Sequence, residues 1–456
     1  MLRYTPRALA SSRSFIMSST PKPQFHIAIV GAGLGGLAAA ISIARAGHKA
    51  TILEQASALG EVGAGIQIPP NSSRILRRWG ILEQIESHSV RPRDFYLRSY
   101  KDGKILSTQN TLPYAEDTYG NPYLHIHRAD YHRVLVETAE KLGVDIRINS
   151  GARGVDFSKP AVLLADGSEF SADLVIGADG LKSVCREALL GHPDPPHLTG
   201  NLAYRILIKA EDMKKHANIA DLAEHPAINY WMGPDAHVVG YLLKGGGLYN
   251  MVLACPDNLP EMVNTAKADL QEMRDVFKGW DPRLETLLSL VEDTSKWRLQ
   301  NSEEMKKWTH DDGKFALLGD SCHATLPYLA SGAAMAIEDG DVLGLLMARI
   351  TEKSQLSDVL VMYESLRKSR STRVVKGSTH YQDIFHMHDG DRQRERDRQL
   401  LEYQDDPFEG YPNKWRDPVF QSWLWGYDAT REVDQAWSIY EKGQFPLTYG
   451  RFRSHL

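Results

Sequence analysis

The run HIAIVGAGLGGLAAAISIA, from His26 to Ala44, is nearly apolar enough to cross a membrane, yet its glycines argue for something else. Gly31, Gly33, Gly35 and Gly36 crowd one point, where a membrane helix would gain least from them. FHIAIV (Phe25 to Val30) reads as a buried parallel strand, LGGLAAAISIARAG as the helix after it, closed by Gly47, and ATIL (Ala50 to Leu53) as the next strand. That is a βαβ unit with G-x-G-x-x-G at its strand-to-helix turn. Gly31 permits the tight turn, Gly33 lets backbone approach a pyrophosphate, and Gly36 lets helix and strand pack closely, with the helix N-terminus facing the phosphates. Glu54 ends the second strand, where a carboxylate accepts hydrogen bonds from a ribose. Taken alone the motif says dinucleotide, FAD or NAD, or a packing turn that holds no ligand.

A chain of 456 residues exceeds one small core, so two domains or one interleaved α/β unit is expected. A net charge of −5 gives no electrostatic case for nucleic acid, and no membrane span is expected. Cys185, Cys255 and Cys322 lie far apart, which indicates neither a disulfide framework nor a zinc site and fits a reducing compartment. The expected location is the cytoplasm, with two alternatives. Met1 to Thr20 carries Arg3, Arg7 and Arg13, several serines and no acid, the composition of a mitochondrial presequence; the plainer reading is a tail without structure, or a start at Met17. The end RFRSHL resembles a peroxisomal S-K-L signal with His455 in the basic position.

Further along, PPNSSRILRRWG reads as a helix capped by Asn71 and stopped at Gly80, and RADYHRVLVETAEKLG as another ending at Gly143. An Asp166-Gly167 turn marks a hairpin feeding a buried strand, Leu174 to Ile176. From about Asn201 to Ala254 short strands and turns suggest an antiparallel sheet, after which KFALLGD returns to a buried strand and SGAAMAIEDGDVLGLLMARI to a long helix. Residues 386–406 form a charge run expected to be solvated, and the tail holds Trp415, Trp423, Trp425 and Trp437, enough aromatic area to dock on the body.

DLVIGADG (Asp173 to Gly180) and LLGDSCHATLPYLASGAAMAIEDG (Leu317 to Gly340) follow the first motif in order, with GAGIQIPPN and HRADYHRVL between. This set resembles the FAD-dependent class A monooxygenases, flavoprotein hydroxylases of aromatic compounds. The likeness is greatest to fungal salicylate hydroxylase-like enzymes, whose tails carry a similar WLWGYDATREVDQAW. It spans nearly the whole chain. It implies an α/β fold in which a Rossmann-like, glutathione-reductase-type FAD-binding domain (24–92, 120–195, 300–375) is interleaved with an antiparallel β-sheet substrate domain (93–119, 196–299). A disordered leader (1–23) and a helical C-terminal extension (376–456) flank them.

The resemblance also implies FAD as cofactor and NADH or NADPH as co-substrate. O₂ forms a flavin C4a-hydroperoxide that hydroxylates a phenolic ring, best salicylate to catechol, alternatively a resorcinol-type polyketide that is hydroxylated or dearomatised. Gly63 and Gly65 fall in its cofactor segment, Arg128 at the FAD pyrophosphate, and Asp179 where FAD and nicotinamide are both served. Asp320, at the carboxyl end of a buried strand, is positioned for flavin ribityl or ribose hydroxyls. A helix starting near Ser331 offers the N–H groups of Gly332, Ala333 and Ala334 to the electron-rich flavin edge. Four residues apart on a strand, His237 and Tyr241 share a face. By resemblance that face overlooks the flavin, Arg205 and Tyr241 bind the phenolic oxygen, and Pro327 stands beside the ring where some relatives have Gln.

Plainer readings stand beside these: a surface arginine for Arg128 or Arg205, an ordinary turn at Asp179-Gly180, core residues at His237 and Tyr241. HIH (125–127) and HMH (386–388) lack acid or cysteine partners at ligand spacing, so no metal is expected. Trp423-Leu424-Trp425 resembles a halogenase W-x-W, but Gly426 and Tyr427 follow it in place of an Ile-Pro signature. A nicotinamide-dependent dehydrogenase without flavin satisfies the first motif and leaves the Gly319-Asp320 segment unexplained; a non-catalytic flavin-binding partner also remains. The chain is expected to act as a monomer or homodimer.

Overall fold

The βαβ unit forms where its apolar runs place it: strand His26–Val30, helix Leu34–Arg45 and strand Lys49–Leu53. The computed structural model describes residues 22–60 and 63–447. The leader and the C-terminal signal read from the sequence lie outside them, apart from the leader's last two positions. His26–Val30 sits at the centre of a five-stranded sheet in the order Phe315–Leu317, Leu174–Gly177, His26–Val30, Lys49–Leu53, Asp145–Arg147. All its pairs are parallel, and its central strands are buried because helices cover the sheet. Segments nearly three hundred residues apart thus end at one edge of one sheet.

Helix Gly332–Met347 crosses helix Leu34–Arg45 at very short range. A Cβ on Gly340 would lie 2.5 Å from the Ala39 backbone nitrogen, and one on Gly344 would lie 2.4 Å from the Ser42 Cβ. Only glycine fits at either point.

The second layer is an eight-stranded sheet in the order Thr265–Lys267, Ser295–Asn301, His197–Lys209, Leu248–Pro256, Ala236–Leu243, Ala227–Gly233, Asp94–Ser99, Ile105–Asn110. It is antiparallel except where Ala227–Gly233 meets Asp94–Ser99 in parallel. No hairpin ties those two strands, since Asp94–Ser99 enters from a distant part of the chain. The expected hairpin is present, Ala161–Leu164 pairing with Glu169–Ser171 ahead of the buried strand Leu174–Gly177.

Three local expectations are corrected. Helix Pro70–Trp79 is preceded by Pro69 with no side-chain cap; Asn71 lies inside the first turn and donates to Glu338 instead, at 2.6 Å. The domain boundary at 375 falls within one continuous 30-residue helix, Leu356–Phe385. The charge run is only partly solvated. His386 closes that long helix, and in helix Asp391–Glu402 Arg396 and Leu400 are buried, Arg396 donating to the Ile384 carbonyl at 2.6 Å.

The tail docks as expected. Trp415 packs its ring on Phe95 and Tyr230, at 4.3 and 5.3 Å between centroids, and so backs the sheet. Trp425 is buried, and Arg370 and Arg373 lie over the rings of Tyr427 and Trp423. Among the described residues no helix is long and apolar enough to cross a membrane.

Candidate active site

At the carboxyl edge of the parallel sheet two cavities adjoin, sharing Gly33, Arg128, Ala178 and Gly180 as lining. The first, about 390 Å³, runs past Gly31 and Glu54. The second, about 350 Å³, lies between Asp320 and Ala333 on one side and Arg205, His237 and Tyr241 on the other.

The first cavity is built mainly of backbone. Gly31 adopts φ +102°, and a Cβ there would meet the Ala178 carbonyl oxygen at 2.5 Å. A Cβ on Gly36 would stand 2.0 Å from the Gly31 oxygen, so this glycine lets helix and strand touch. Beside Gly33 there is open space, and Gly33 begins helix Leu34–Arg45 without a side-chain cap. The first N–H groups of that helix therefore face a place where an anion is stabilised. Glu54 accepts from the backbone N–H of Ala32 at 2.7 Å and of Ala56 at 2.8 Å, which fixes its carboxylate in the cavity wall. This cradle fits the adenosine and pyrophosphate of a dinucleotide. Arg128 borders both cavities, and Gly63 packs on it so closely that a Cβ would lie 2.8 Å from the Arg128 Cβ.

The inner end of the cofactor site is a second helix N-terminus. Ser331 does not cap it; its hydroxyl donates to the Leu329 carbonyl, and the first helical bond runs from Met335 N–H to Ser331. The N–H groups of Gly332, Ala333 and Ala334 thus lack acceptors within the helix. Gly332 and Ala333 line the cavity. The Ala334 side chain does not, because the helical turn carries it into the core. Asp320 follows Gly319, whose φ of 65° and ψ of −142° suit only glycine, and this turn aims its carboxyl into the cavity.

Asp179 lines the first cavity, yet it also serves its own turn: it accepts from the Ser183 hydroxyl and from the Cys185 N–H, ahead of helix Val184–Leu190. Its oxygens are thus already engaged within the chain.

Side chains make the substrate end. Strand Ala236–Leu243 turns His237, Val239 and Tyr241 to the cavity, as the two-residue period requires. Tyr241 lies flat on Gly65, where a Cβ would be 2.5 Å from the ring, and Gly65 N–H donates to the Asn250 side chain at 3.0 Å. Burial and the neighbouring Tyr230 push the Tyr241 pKa up, with Arg205 pulling the other way, so its hydroxyl stays a donor. Arg205 borders the same cavity with its guanidinium 5.1 Å from the Trp297 ring centre. His237 is buried, and its Nδ1 lies 2.8 Å from Nε2 of His386. Burial, then His386, hold its pKa well below the usual value, so it is neutral. Pro327 presents its ring to the cavity.

Several residues here escape sequence reading. Glu338 and Asp339 are fully buried and do not line the cavity, and Asp339 accepts from the Gly319 N–H at 3.1 Å. Arg370 and Arg367 grip Glu338 at 2.8 and 2.7 Å; Arg367 and His323 hold Asp339 at 2.7 and 2.6 Å. Burial alone raises a carboxyl, but His323 and Arg367 outweigh it and keep Asp339 at about 2. The available signal is three acids, Glu338, Asp339 and Asp341, inside an otherwise apolar helix. His125 is no ligand: it packs 4.4 Å from the Tyr241 ring, and burial drops its pKa to about 3. His127 caps helix Arg128–Lys141, accepting from Ala129 N–H. No group of three or more His, Cys, Asp and Glu side chains among the described residues could hold a metal ion.

Two anion-favouring helix ends beside adjoining cavities suit a flavin dinucleotide, and the sequence comparison agrees. The chain belongs to the FAD binding domain family, whose model matches residues 24–378. It is 42% identical over 425 residues to the FAD-dependent monooxygenase OpS4 of Beauveria bassiana, covering 92% of this chain and 99% of that protein. It is 32% identical to the 3-hydroxybenzoate 6-hydroxylase of Polaromonas naphthalenivorans, over 81% of this chain and 90% of the relative. Its fold is that of a solved salicylate hydroxylase substrate complex, with a TM-score of 0.75 at 23% identity, covering 90% and 97% of the two chains. The protein is an FAD-dependent aromatic monooxygenase. The flavin-free dehydrogenase reading is set aside, since it gives no role to the Asp320 and Ala333 end of the cavity.

Proposed function

We propose that the chain hydroxylates a phenolic acid, with conversion of salicylate to catechol and loss of CO₂ the leading reaction, using NADH or NADPH as reductant. The observation that carries this reading is the convergence of Arg205, His237 and Tyr241 on one wall, facing Gly332 and Ala333 across a single cavity. Bound FAD, once reduced by the nicotinamide, supplies the chemistry that splits O₂ and delivers one oxygen to the ring. The protein's part is to bind, orient and keep water out.

Arg205 offers a positive charge to a phenolate or carboxylate, which favours the ionised and more nucleophilic ring. Tyr241, held protonated, donates to the substrate oxygen. Neutral His237 has its Nδ1 occupied by His386, which leaves Nε2 as the atom to accept the phenolic proton. Val239, Val252 and Leu299 line the apolar remainder and exclude water around the ring. The amides of Gly332 and Ala333, which have no acceptor within the helix, would hold the electron-rich edge of the cofactor. A hydroxybenzoate is supported by the relative named for 3-hydroxybenzoate and by the fixed cation Arg205. The apolar walls favour a second reading, a resorcinol-type polyketide phenol.

The test is a panel of hydroxybenzoates and carboxyl-free resorcinols given to purified holoenzyme, following NAD(P)H consumption and product mass. Hydroxybenzoates should accelerate oxidation, and salicylate should give a product that has lost its carboxyl group. Response to resorcinols alone transfers the assignment to the second reading, and response to neither removes both.

A further inference from the structure

His386 has no place in the flavin site, yet it touches the residue that faces the substrate. Its Nε2 lies 2.8 Å from Nδ1 of His237. Its other side borders an open groove on the outer surface, together with Asp235, Asp383, His388 and Asp389. His237 borders the inner cavity and not this groove. The two imidazoles therefore form a bridge one hydrogen bond long between the inner cavity and the outer groove. Around His237 the remaining ring neighbours are Tyr230, Tyr328 and Phe385, at 6.2, 5.1 and 5.1 Å between centroids. None of these three borders the outer groove, and none carries two exchangeable nitrogens.

We propose that His237 and His386 form a proton conduit that carries the substrate's phenolic proton from the cavity to the outer groove. The inference rests on the phenolic reading above. Both rings are neutral at ordinary pH. Burial, then the neighbouring His386, holds His237 down; burial takes His386 to about 4 against the opposing pull of Asp235. In a neutral pair one ring donates its N–H to the lone pair of the other.

In the resting arrangement the His237 Nδ1–H donates to Nε2 of His386, leaving Nε2 of His237 open to substrate and a proton on Nδ1 of His386. The phenolic O–H breaks as the His237 Nε2–H bond forms. The Nδ1–H proton of His237 passes to Nε2 of His386, and the Nδ1–H proton of His386 leaves to water in the groove. No net charge stays on either ring. Movement in the reverse direction returns a proton to the product oxygen and restores both starting tautomers.

The groups facing His386 are few. His237 approaches from strand Ala236–Leu243, Asp235 from the turn before it with its carboxylate held by His388 at 2.8 Å, and Tyr328 from Pro327–Leu329 at 5.7 Å between centroids. Asp383 on its own helix and Asp389, Asp391 and Arg392 beyond it border the groove. These acids provide exchange partners at the outer end.

The test uses holoenzyme with the best phenol from the panel. In His386→Ala, FAD should stay bound and the substrate KM should hold, while kcat falls by about 10²-fold, the scale of one positioned proton transfer. Imidazole added to the buffer should restore turnover through the open groove. 1-Methylimidazole, nearly the same shape but with one nitrogen blocked, should not. His386→Gln, which keeps a hydrogen bond but cannot relay, should show the same loss, and guards against a poorly folded alanine variant. Unchanged kcat in either variant overturns the conduit, as does rescue by both additives or by neither. If the unaltered enzyme turns over no phenol at all, the phenolic reading itself falls and takes the conduit with it.

Discussion

The two ends of the active-site cavity are made of different material. Around Gly31, Gly33 and Gly36 the wall is main chain, and the glycines matter because a Cβ would collide or fill the cradle. Around Arg205, His237 and Tyr241 the wall is side chains carried on a sheet, and any of them can be exchanged without moving the backbone. The first kind of site accepts one cofactor and tolerates almost no change. The second can be retuned residue by residue, which is how one fold serves many aromatic substrates.

The sharpest way to break this contrast is Gly36→Val. With only 2.0 Å between the added Cβ and the Gly31 oxygen, helix and strand must separate, at a cost on the order of 3 kcal/mol or more. Bound flavin absorbance should vanish and the protein should melt early; a yellow, active variant would show the backbone end to be as adaptable as the other. At the opposite end, Arg205→Ala should retain FAD at full stoichiometry while kcat/KM for the phenol drops by about 10²-fold, comparable to loss of one charged transition-state contact. Loss of FAD in that variant would erase the distinction.

The smallest effect concerns what braces the two ends. Asp339 is depressed to about 2, so its share of stability is present above its unfolded pKa of about 3.9 and is lost as pH falls toward 2. His323 is raised, burial lowering it but Asp339 more than compensating. Its share is therefore present below about 6.5 and is lost as pH climbs through the higher folded value. The difference in denaturation midpoint between the unaltered chain and Asp339→Asn should be widest between about pH 4 and 6.5 and should narrow on both sides. A difference that does not change with pH would mean the pair is not ionised.

The same contrast explains what could be read before the fold was known. A tight strand-to-helix turn demands glycine at fixed spacing, so Gly31, Gly33 and Gly36 announce themselves locally, and Glu54 follows from strand length. The period-two alternation likewise put His237 and Tyr241 on one face. What stayed hidden depends on partners remote in sequence. Asn71 reads as a cap from the local sequence because its acceptor, Glu338, is 267 residues away. His386 reads from sequence only as part of HMH and of the charge run, since its contact with His237 spans 149 residues. Ala334 was grouped with its neighbours because a helix start can be placed from sequence more easily than the rotation of each side chain about the axis.

The glycine contacts that seat helix Gly332–Met347 on helix Leu34–Arg45 set a fixed gauge. Each of these helices presents its amino end to a different cavity of the site, so their crossing sets the distance between the two ends. Insertions in the surrounding loops can reshape the doorway and change who enters, while the span between the two grips stays as the helices cut it.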